Sequence, residues 1–89
     1  MASVVLVNTR RRKLREPIRI EAKRFGFFPS AFTWRGRRHD IRAVESCRTE
    51  NGHGRVRRHI FRVRTDRAVL ELTQDVARDA WRIEQMWTL

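Results

Sequence analysis

The chain has little of what builds disulfide scaffolds or membrane spans. Its 89 residues contain one cysteine, Cys47, which excludes an internal disulfide and a tetrathiolate zinc site. The longest uninterrupted apolar run, Val4–Val7, is far shorter than the ~20 residues that cross a bilayer. Basic residues follow this run instead of preceding it, which is unlike a signal peptide. We therefore expect one small cytoplasmic protein in a reducing compartment.

Acidic residues are also scarce, with 10 Asp and Glu against 21 Lys and Arg, and the net charge is +11. The excess is uneven: up to Arg67 the chain carries 19 basic and 6 acidic residues, and beyond it 2 basic and 4 acidic. Nearly all the basic residues are arginines, whose guanidinium groups bind phosphate in a bidentate manner. This composition predicts a cationic side that contacts a polyanion; a GC-rich genome is the alternative source of the arginines.

The first 16 residues combine the short apolar run with a basic cluster, Arg10–Arg15. Like charges so close together repel one another and usually stay in solvent. The pattern predicts a basic, flexible N-terminal segment over residues 1–16, either a tail or an arm that grips phosphates. One small β domain would then cover residues 17–89.

Alternation of apolar and polar residues dominates the rest of the chain. It begins at Pro17 with Ile18 and Ile20, and it predicts an antiparallel all-β domain, a five-stranded meander or half-open barrel. His59, Phe61 and Val63 alternate with arginines in a later strand. Over residues 74–86 a helix is the alternative, but the two-residue phase of Trp81, Ile83 and Trp87 favours a strand.

Glycines and a break in phase predict the turns. Gly36 suits a hairpin tip, and Asn51-Gly52 suits a second tight turn. A phase slip between Ile41 and Val44 indicates a β-bulge. The segment Arg24–Ser30 predicts an irregular loop that buries aromatic rings.

Residues capable of catalysis are few. His39, His53, His59 and Cys47 include the right types for a base, a thiolate or metal ligands, but their spacing matches no catalytic or metal-binding motif. Acidic residues are too scattered to predict a carboxylate pair. We therefore expect no enzyme activity, no metal and no cofactor; a metal-dependent nuclease is the remote alternative.

Two groups of arginines are the candidate nucleic-acid contacts. Side chains two apart on a strand lie ~6.6 Å apart, close to the roughly 7 Å between successive phosphates. A nearby ring could stack on an unpaired base. We expect these arginines on one side of the sheet, free of carboxylates; the alternative is that they pair with Glu45, Glu50, Asp66 and Glu71. The candidates are Arg35, Arg37 and Arg38 near the hairpin tip, Arg58, Arg62 and Arg64 on the later strand, and Trp34 or Phe27 as the ring.

The motifs P-I-R-I, W-R-G-R at Trp34–Arg37, R-H-I-F-R-V-R-T-D-R and the final W-R-I-E-Q-M-W resemble a small bacterial family of all-β domains of unknown function. A related domain ends actinobacterial Y-family polymerase-like proteins of translesion repair. The resemblance implies a DNA-repair setting, with DNA as the partner in preference to RNA.

A protein-interaction module is the alternative function. In that case an exposed strand edge, or a patch of Trp81, Met86 and Trp87, would contact a polymerase-like partner or a second copy of the chain.

Overall fold

The computed structural model describes residues 10–88, which form seven antiparallel strands and no helix. None of these residues therefore belongs to a helix long and apolar enough to cross a membrane. The prediction of an antiparallel all-β fold is confirmed, but the expected number of five strands is wrong. In chain order, the strands are β1 (Arg10–Arg24), β2 (Phe28–Trp34), β3 (Arg37–Asp40), β4 (Ala43–Gly52), β5 (Arg55–Arg64), β6 (Ala68–Asp75) and β7 (Ala80–Thr88). Their order across the sheet is β3-β2-β1-β7-β6-β5-β4.

The two edge strands explain the wrong count. β3 has only four residues, three of them exposed. β4 has ten residues, of which Val44 and Gly52 alone are even half-buried. Hydrophobic alternation reports one buried and one solvated face, so strands this exposed carry almost none of that signal.

β1 is long because it pairs with two different neighbours. Its residues Arg10–Ile18 lie beside β7, whereas β2 pairs with it from Arg19 onward. Pro17 is tolerated because it lies beside β7 before the pairing with β2 begins. The structure thus places residues 10–16 inside the sheet, although the sequence predicted a flexible segment; residues 1–9 of that segment lie outside the described residues.

The core lies between β2 and the inner face of β5, β6 and β7. Phe32 from β2 and Phe61, Leu72 and Ile83 from the other three strands are 0% exposed. Phe28 also packs against Phe61, with ring centroids 6.3 Å apart. β2 shares no hydrogen-bonded ladder with β5, so side-chain packing holds these two parts of the sheet together.

The sheet is open, with β3 and β4 as its edges, and the short link between them crosses the core. The Ile41 amide donates to the carbonyl of Ser30 on β2, and the Arg42 amide donates to that of Arg64 on β5. The predicted bulge between Ile41 and Val44 is therefore wrong at its first residues, which end one edge strand and lead to the other. A register shift does occur one step later, between Val44 and Ser46.

The turns follow from residues that accept positive φ. The predicted tip at Gly36 is confirmed, with φ of 53° at Arg35 and 76° at Gly36, as a two-residue type I′ turn requires. The second tight turn lies at His53-Gly54, not at Asn51-Gly52, because the β4–β5 pairing continues as far as Gly52 and Arg55. Over residues 74–86 the strand prediction is confirmed, with a turn at 76–79 between β6 and β7.

Replacing Phe32 by Ala is expected to lower the free energy of unfolding by about 3–5 kcal/mol, because the ring is fully buried. Phe25→Ala is the matched control: the same ring is removed where it is 93% exposed, and a change below about 0.5 kcal/mol is expected. Urea unfolding followed by tryptophan fluorescence measures both. Equal losses would contradict the packing between β2 and the inner face.

Candidate functional site

The six predicted arginines fall on two separate parts of the sheet. Arg35, Arg37 and Arg38 lie at or beside the β2–β3 turn, near one edge, whereas the other three lie on β5, next to the opposite edge. Five of the six have a carboxylate partner; Arg37 makes no ion pair with any residue from 10 to 88.

The β5 arginines are neutralised by β4, the neighbouring strand. Glu50 accepts from Arg58 at 2.6 Å, and Glu45 lies between Arg62 and Arg64 and pairs with both. The expectation that these arginines are free of carboxylates is therefore wrong, and the alternative of cross-strand pairing is confirmed for Glu45 and Glu50. Sequence analysis predicts this pairing only as the alternative, because β4 itself was not recognised in full.

A second cluster surrounds Glu16 on β1. The Arg35 Nε atom donates to Glu16 Oε1 at 2.8 Å, and the Trp34 indole N–H donates to the same oxygen at 2.9 Å. The Arg35 guanidinium also stacks on the Trp34 ring, 4.6 Å from its centroid. Hydrogen bonds from Arg35 and then Trp34 lower the pKa of Glu16 from 4.5 to about 2. The cluster fixes the orientation of the indole.

Phe27, the alternative stacking ring, points into the protein. Its ring lies 4.9 Å from that of Phe28, 5.0 Å from His59 and 5.3 Å from Phe61, measured between centroids. A ring packed on three others is not positioned to stack on a base. The exposed ring of the loop is instead Phe25, at the turn between β1 and β2.

The predicted patch of Trp81, Met86 and Trp87 does not exist as one surface. Across the β6–β7 ladder Leu72 pairs with Ile83 and Glu71 with Gln85, so Glu84 is an extra residue in β7. This bulge shifts the alternation. Trp81 and Met86 face the core, whereas Trp87 lies on the other face beneath the Arg62 guanidinium, 4.7 Å from its ring centroid.

An open cavity of about 440 Å³ lies between the β2–β3 hairpin and the β5–β6 turn. We call it the arginine-rimmed cavity. Its apolar wall includes Phe32 and Leu70, both buried, together with the half-buried Met86. Trp34 and His39 add two further rings. The arginines that line it are Arg37, Arg38, Arg42 and Arg67.

Two of the four lining arginines are held by aspartates. Arg42 makes a bidentate pair with Asp66, at 2.8 and 2.9 Å, and Arg38 pairs with Asp40 at 3.2 Å. Arg37 and Arg67 have no carboxylate partner within residues 10–88. The cavity lining therefore carries a net positive charge.

Arginines of β1 extend this charge beyond the lining. Arg12 pairs across the ladder with Met86 and Arg10 with Thr88, and both β7 residues line the cavity. Directly paired residues of neighbouring strands project from the same face of a sheet. Arg10 and Arg12 consequently lie on the same face as the cavity, and neither has a carboxylate partner in the described part of the chain.

His39 supplies a neutral ring to the cavity wall. Its imidazole stacks on Phe32 with centroids 5.1 Å apart and planes 17° apart. Burial, followed by the nearby charge of Arg37, lowers the pKa of His39 below its usual 6.5. Near pH 7 the ring is thus uncharged and can both donate and accept a hydrogen bond.

The structure gives the catalytic candidates no shared site. Burial raises the pKa of Cys47, which disfavours the reactive thiolate. Among residues 10–88 no three His, Cys, Asp or Glu side chains are grouped so as to hold a metal ion. His59 lies against Phe27 and Phe61, whereas His39 lies against Phe32 and Trp34.

The cavity unites three of the predicted residues with others that sequence reasoning missed. Trp34, Arg37 and Arg38 line it; Phe27, Arg35, Arg58, Arg62 and Arg64 do not. Arg42, Arg67 and His39 were missed as site residues. The sequence predicted Arg67 in a turn and His39 on a strand. In the structure the link between β3 and β4 is hydrogen-bonded to both β2 and β5, and both residues line the same cavity.

Fold and site together define a small antiparallel β domain with a cationic, ring-lined cavity and an excess of unpaired arginines. The chain belongs to the family described as a domain of unknown function, DUF6504, whose model matches residues 4–89. No curated protein and no solved structure matches the chain.

Glu16→Gln is expected to destabilise the fold near neutral pH and to have little effect near pH 2. The pKa of Glu16 is about 2 in the folded protein, below its ordinary 4.5, so its ionised form adds stability above pH 4.5. That stability is lost as the pH falls through 2. Thermal unfolding of both proteins from pH 7 to pH 2 should show their melting temperatures converging.

Trp34→Phe is the companion variant, since it removes one hydrogen bond to Glu16 and leaves the Arg35 pair in place. Its pH-dependent loss should be smaller than that of Glu16→Gln. A melting difference for Glu16→Gln that stays constant across the whole pH range would refute the role of the ionised carboxylate.

Proposed function

We propose that this domain is a non-catalytic, nucleic-acid-binding accessory module that binds single-stranded DNA through the arginine-rimmed cavity and the β1 arginines beside it. The observation that carries the proposal is the juxtaposition, at one cavity, of aromatic rings with guanidinium groups that have no carboxylate partner in the described part of the chain. Proteins that bind single strands combine such a cationic path for the backbone with rings on which bases stack.

The charge balance supports a polyanionic partner even after ion pairs are considered. Eight of the 21 basic side chains pair with seven of the ten carboxylates, which leaves 13 basic side chains without a carboxylate partner among residues 10–88. Phosphates that contact such groups release condensed counterions, which favours binding at low salt. Phosphate contacts also fix position without reading sequence.

Of the arginines predicted from the sequence to bind nucleic acid, those on β5 are the less favourable phosphate sites. A phosphate that approaches Arg62 or Arg64 also approaches Glu45, which repels it. Exposed ion pairs are worth only about 0–1 kcal/mol, so they do not bar a phosphate outright. The field beside Glu45 is nevertheless less positive than the field beside Arg37 and Arg67.

A DNA-repair setting is part of the proposal. Its support is the likeness of the W-R-G-R hairpin at Trp34–Arg37 and the closing W-R-I-E-Q-M-W to domains that end Y-family polymerase-like proteins. The resemblance implies translesion repair, which favours DNA over RNA as the bound polyanion.

Single-stranded DNA is expected to bind with a slope of log K against log salt of about −3, from roughly four phosphate contacts at ~0.7 each. Fluorescence anisotropy of a dye-labelled strand at several salt concentrations measures it. A flat slope, or no binding at low salt, overturns the proposal. The arginines that make these contacts are Arg10, Arg12, Arg37 and Arg67, which have no carboxylate partner among residues 10–88.

Two double variants with equal net charge separate the two arginine groups. Arg37→Gln with Arg67→Gln should weaken binding roughly 10- to 100-fold and reduce the slope by about 1 to 1.5. Arg58→Gln with Arg62→Gln removes the same charge from paired positions and should change both far less. If the β5 double variant instead weakens binding more than the cavity double variant, the DNA binds at β5 and not at the cavity.

Pairing through β4 with a second copy of the chain is the second candidate function. β4 is a ten-residue edge strand, and eight of its residues are exposed. A long unpaired edge offers its backbone groups to another strand. Such an interface rests on hydrogen bonds and has a different salt dependence from phosphate binding.

Sedimentation velocity distinguishes the two functions. A β4 interface predicts a dimer that persists or strengthens at 0.5 M salt, since screening reduces repulsion between chains of charge +11. Thr49 lies on the exposed strand β4, and replacing it by Pro should abolish that dimer because Pro cannot donate a backbone hydrogen bond. A monomer at all salt and protein concentrations rules this candidate out.

A further inference from the structure

We propose that the arginine-rimmed cavity receives one unstacked base of the bound strand, with the phosphates on either side of that base held by Arg37 and Arg67. This inference rests on the proposed function and names the part of the strand that enters the protein. The observation behind it is an apolar, ring-lined cavity whose lining includes two arginines, Arg37 and Arg67, that have no carboxylate partner within residues 10–88.

The size and lining of the cavity suit a flat, partly apolar group. At about 440 Å³ it falls within the range of pockets that hold small ligands. Phe32 and Leu70 are already buried, so the surface that a ring can still cover belongs to the half-buried Trp34, His39 and Met86, whose flexible thioether adapts to the shape of a ring. A phosphate alone would gain nothing from these side chains, whereas a base would bury its faces against them.

Trp34 is held in place before any ligand arrives. Glu16 accepts its indole N–H at 2.9 Å, and the Arg35 guanidinium covers part of the ring without lining the cavity. The indole surface that lines the cavity is therefore fixed in orientation. A ring that is already ordered loses little conformational freedom when a base packs on it, which favours binding.

The polar groups of the cavity have two roles: some contact anions by their charge, and one offers an uncharged hydrogen bond. Asp66 is engaged by Arg42 and Asp40 by Arg38, so both acids are compensated within the lining. Arg37 and Arg67 remain to contact anions. His39, whose ring is neutral near pH 7, offers a hydrogen bond to the edge of a base without adding charge.

A trinucleotide strand is the probe that tests this arrangement, because it has one central base and two phosphodiesters. The wild-type protein is expected to bind the trithymidylate about 5- to 150-fold more tightly than the same strand with an abasic centre, the range for one stacked base. In His39→Ala that preference should fall by roughly 2- to 12-fold, the share of one hydrogen bond, while the salt slope stays unchanged. His53→Ala, at the exposed β4–β5 turn, is the matched control and should behave like wild type.

A measurement on the wild-type protein covers the case in which His39→Ala fails to fold. The three indole N–H groups serve as NMR probes of three different places: Trp34 of the cavity, Trp81 of the core and Trp87 of the opposite face. Titration with the trithymidylate should shift the Trp34 signal strongly and the Trp87 signal little, and the abasic strand should shift Trp34 much less.

Each outcome separates this inference from the proposed function. Equal affinity for the intact and abasic strands, with a normal salt slope, overturns the base site and leaves phosphate binding intact. If thymidine monophosphate binds as tightly as the trinucleotide, the ligand is a free nucleotide, and the proposal that the cavity holds a base of a bound strand is overturned. Absence of any strand binding at low salt overturns both proposals.

Discussion

The packing of aromatic rings between β2 and β5 is the contact on which the rest of the structure depends. These strands share no hydrogen bonds, so the sheet would be free to open if Phe27, Phe28 and Phe32 did not cover Phe61 and its neighbours. In so small a protein each fully buried ring supplies a large share of a net stability on the order of 5–10 kcal/mol. The same packing sets the β2–β3 hairpin over the β5–β6 turn, and the cavity between them exists only while that core is intact.

Electrostatic repulsion is a second constraint, because the domain must fold despite a net charge of +11. Half of the eight ion pairs among residues 10–88 join neighbours in the sheet: Glu45 and Glu50 on β4 compensate β5, and Glu16 on β1 compensates the β2–β3 turn. With 21 basic and 10 acidic residues, at least 11 basic side chains must remain without a one-to-one partner. Their mutual repulsion disfavours the compact state and weakens with salt. A bound polyanion would relieve the same repulsion, so binding and folding should reinforce each other.

Sequence reasoning predicted the strands with one buried face and failed where neither face is buried. His59, Phe61 and Val63 alternate as a half-buried strand should, and the structure turns them inward. β4 was recognised only in part because its side chains are nearly all exposed, so the pairing of Arg62 and Arg64 with Glu45 was only the alternative to the expectation. The cavity was beyond reach for a different reason: its lining comes from β2, β3, β6, β7 and two connecting segments, and no local pattern encodes how these meet. The hairpin arginines Arg37 and Arg38 were predicted correctly as neighbours of Trp34 only because all three lie within five residues.

Strand register, rather than side-chain size, explains why the cavity is open. Without the extra residue at Glu84, the alternation that places Trp81 and Ile83 inward would also turn Gln85 and Trp87 inward, and the bulky indole would lie where Met86 now lines the cavity. The bulge instead moves Trp87 to the opposite face, where the Arg62 guanidinium covers it. Glu84 is held in its position by a hydrogen bond from the Thr73 hydroxyl at 2.9 Å, and Thr73 is itself buried. One inserted residue on β7 thus keeps space beside Trp34 and His39, and a register shift on β1 between Lys13 and Glu16 accompanies the alignment of Arg12 with Met86 across the ladder. The apolar wall of the cavity and part of its cationic surroundings therefore both depend on bulges in neighbouring strands.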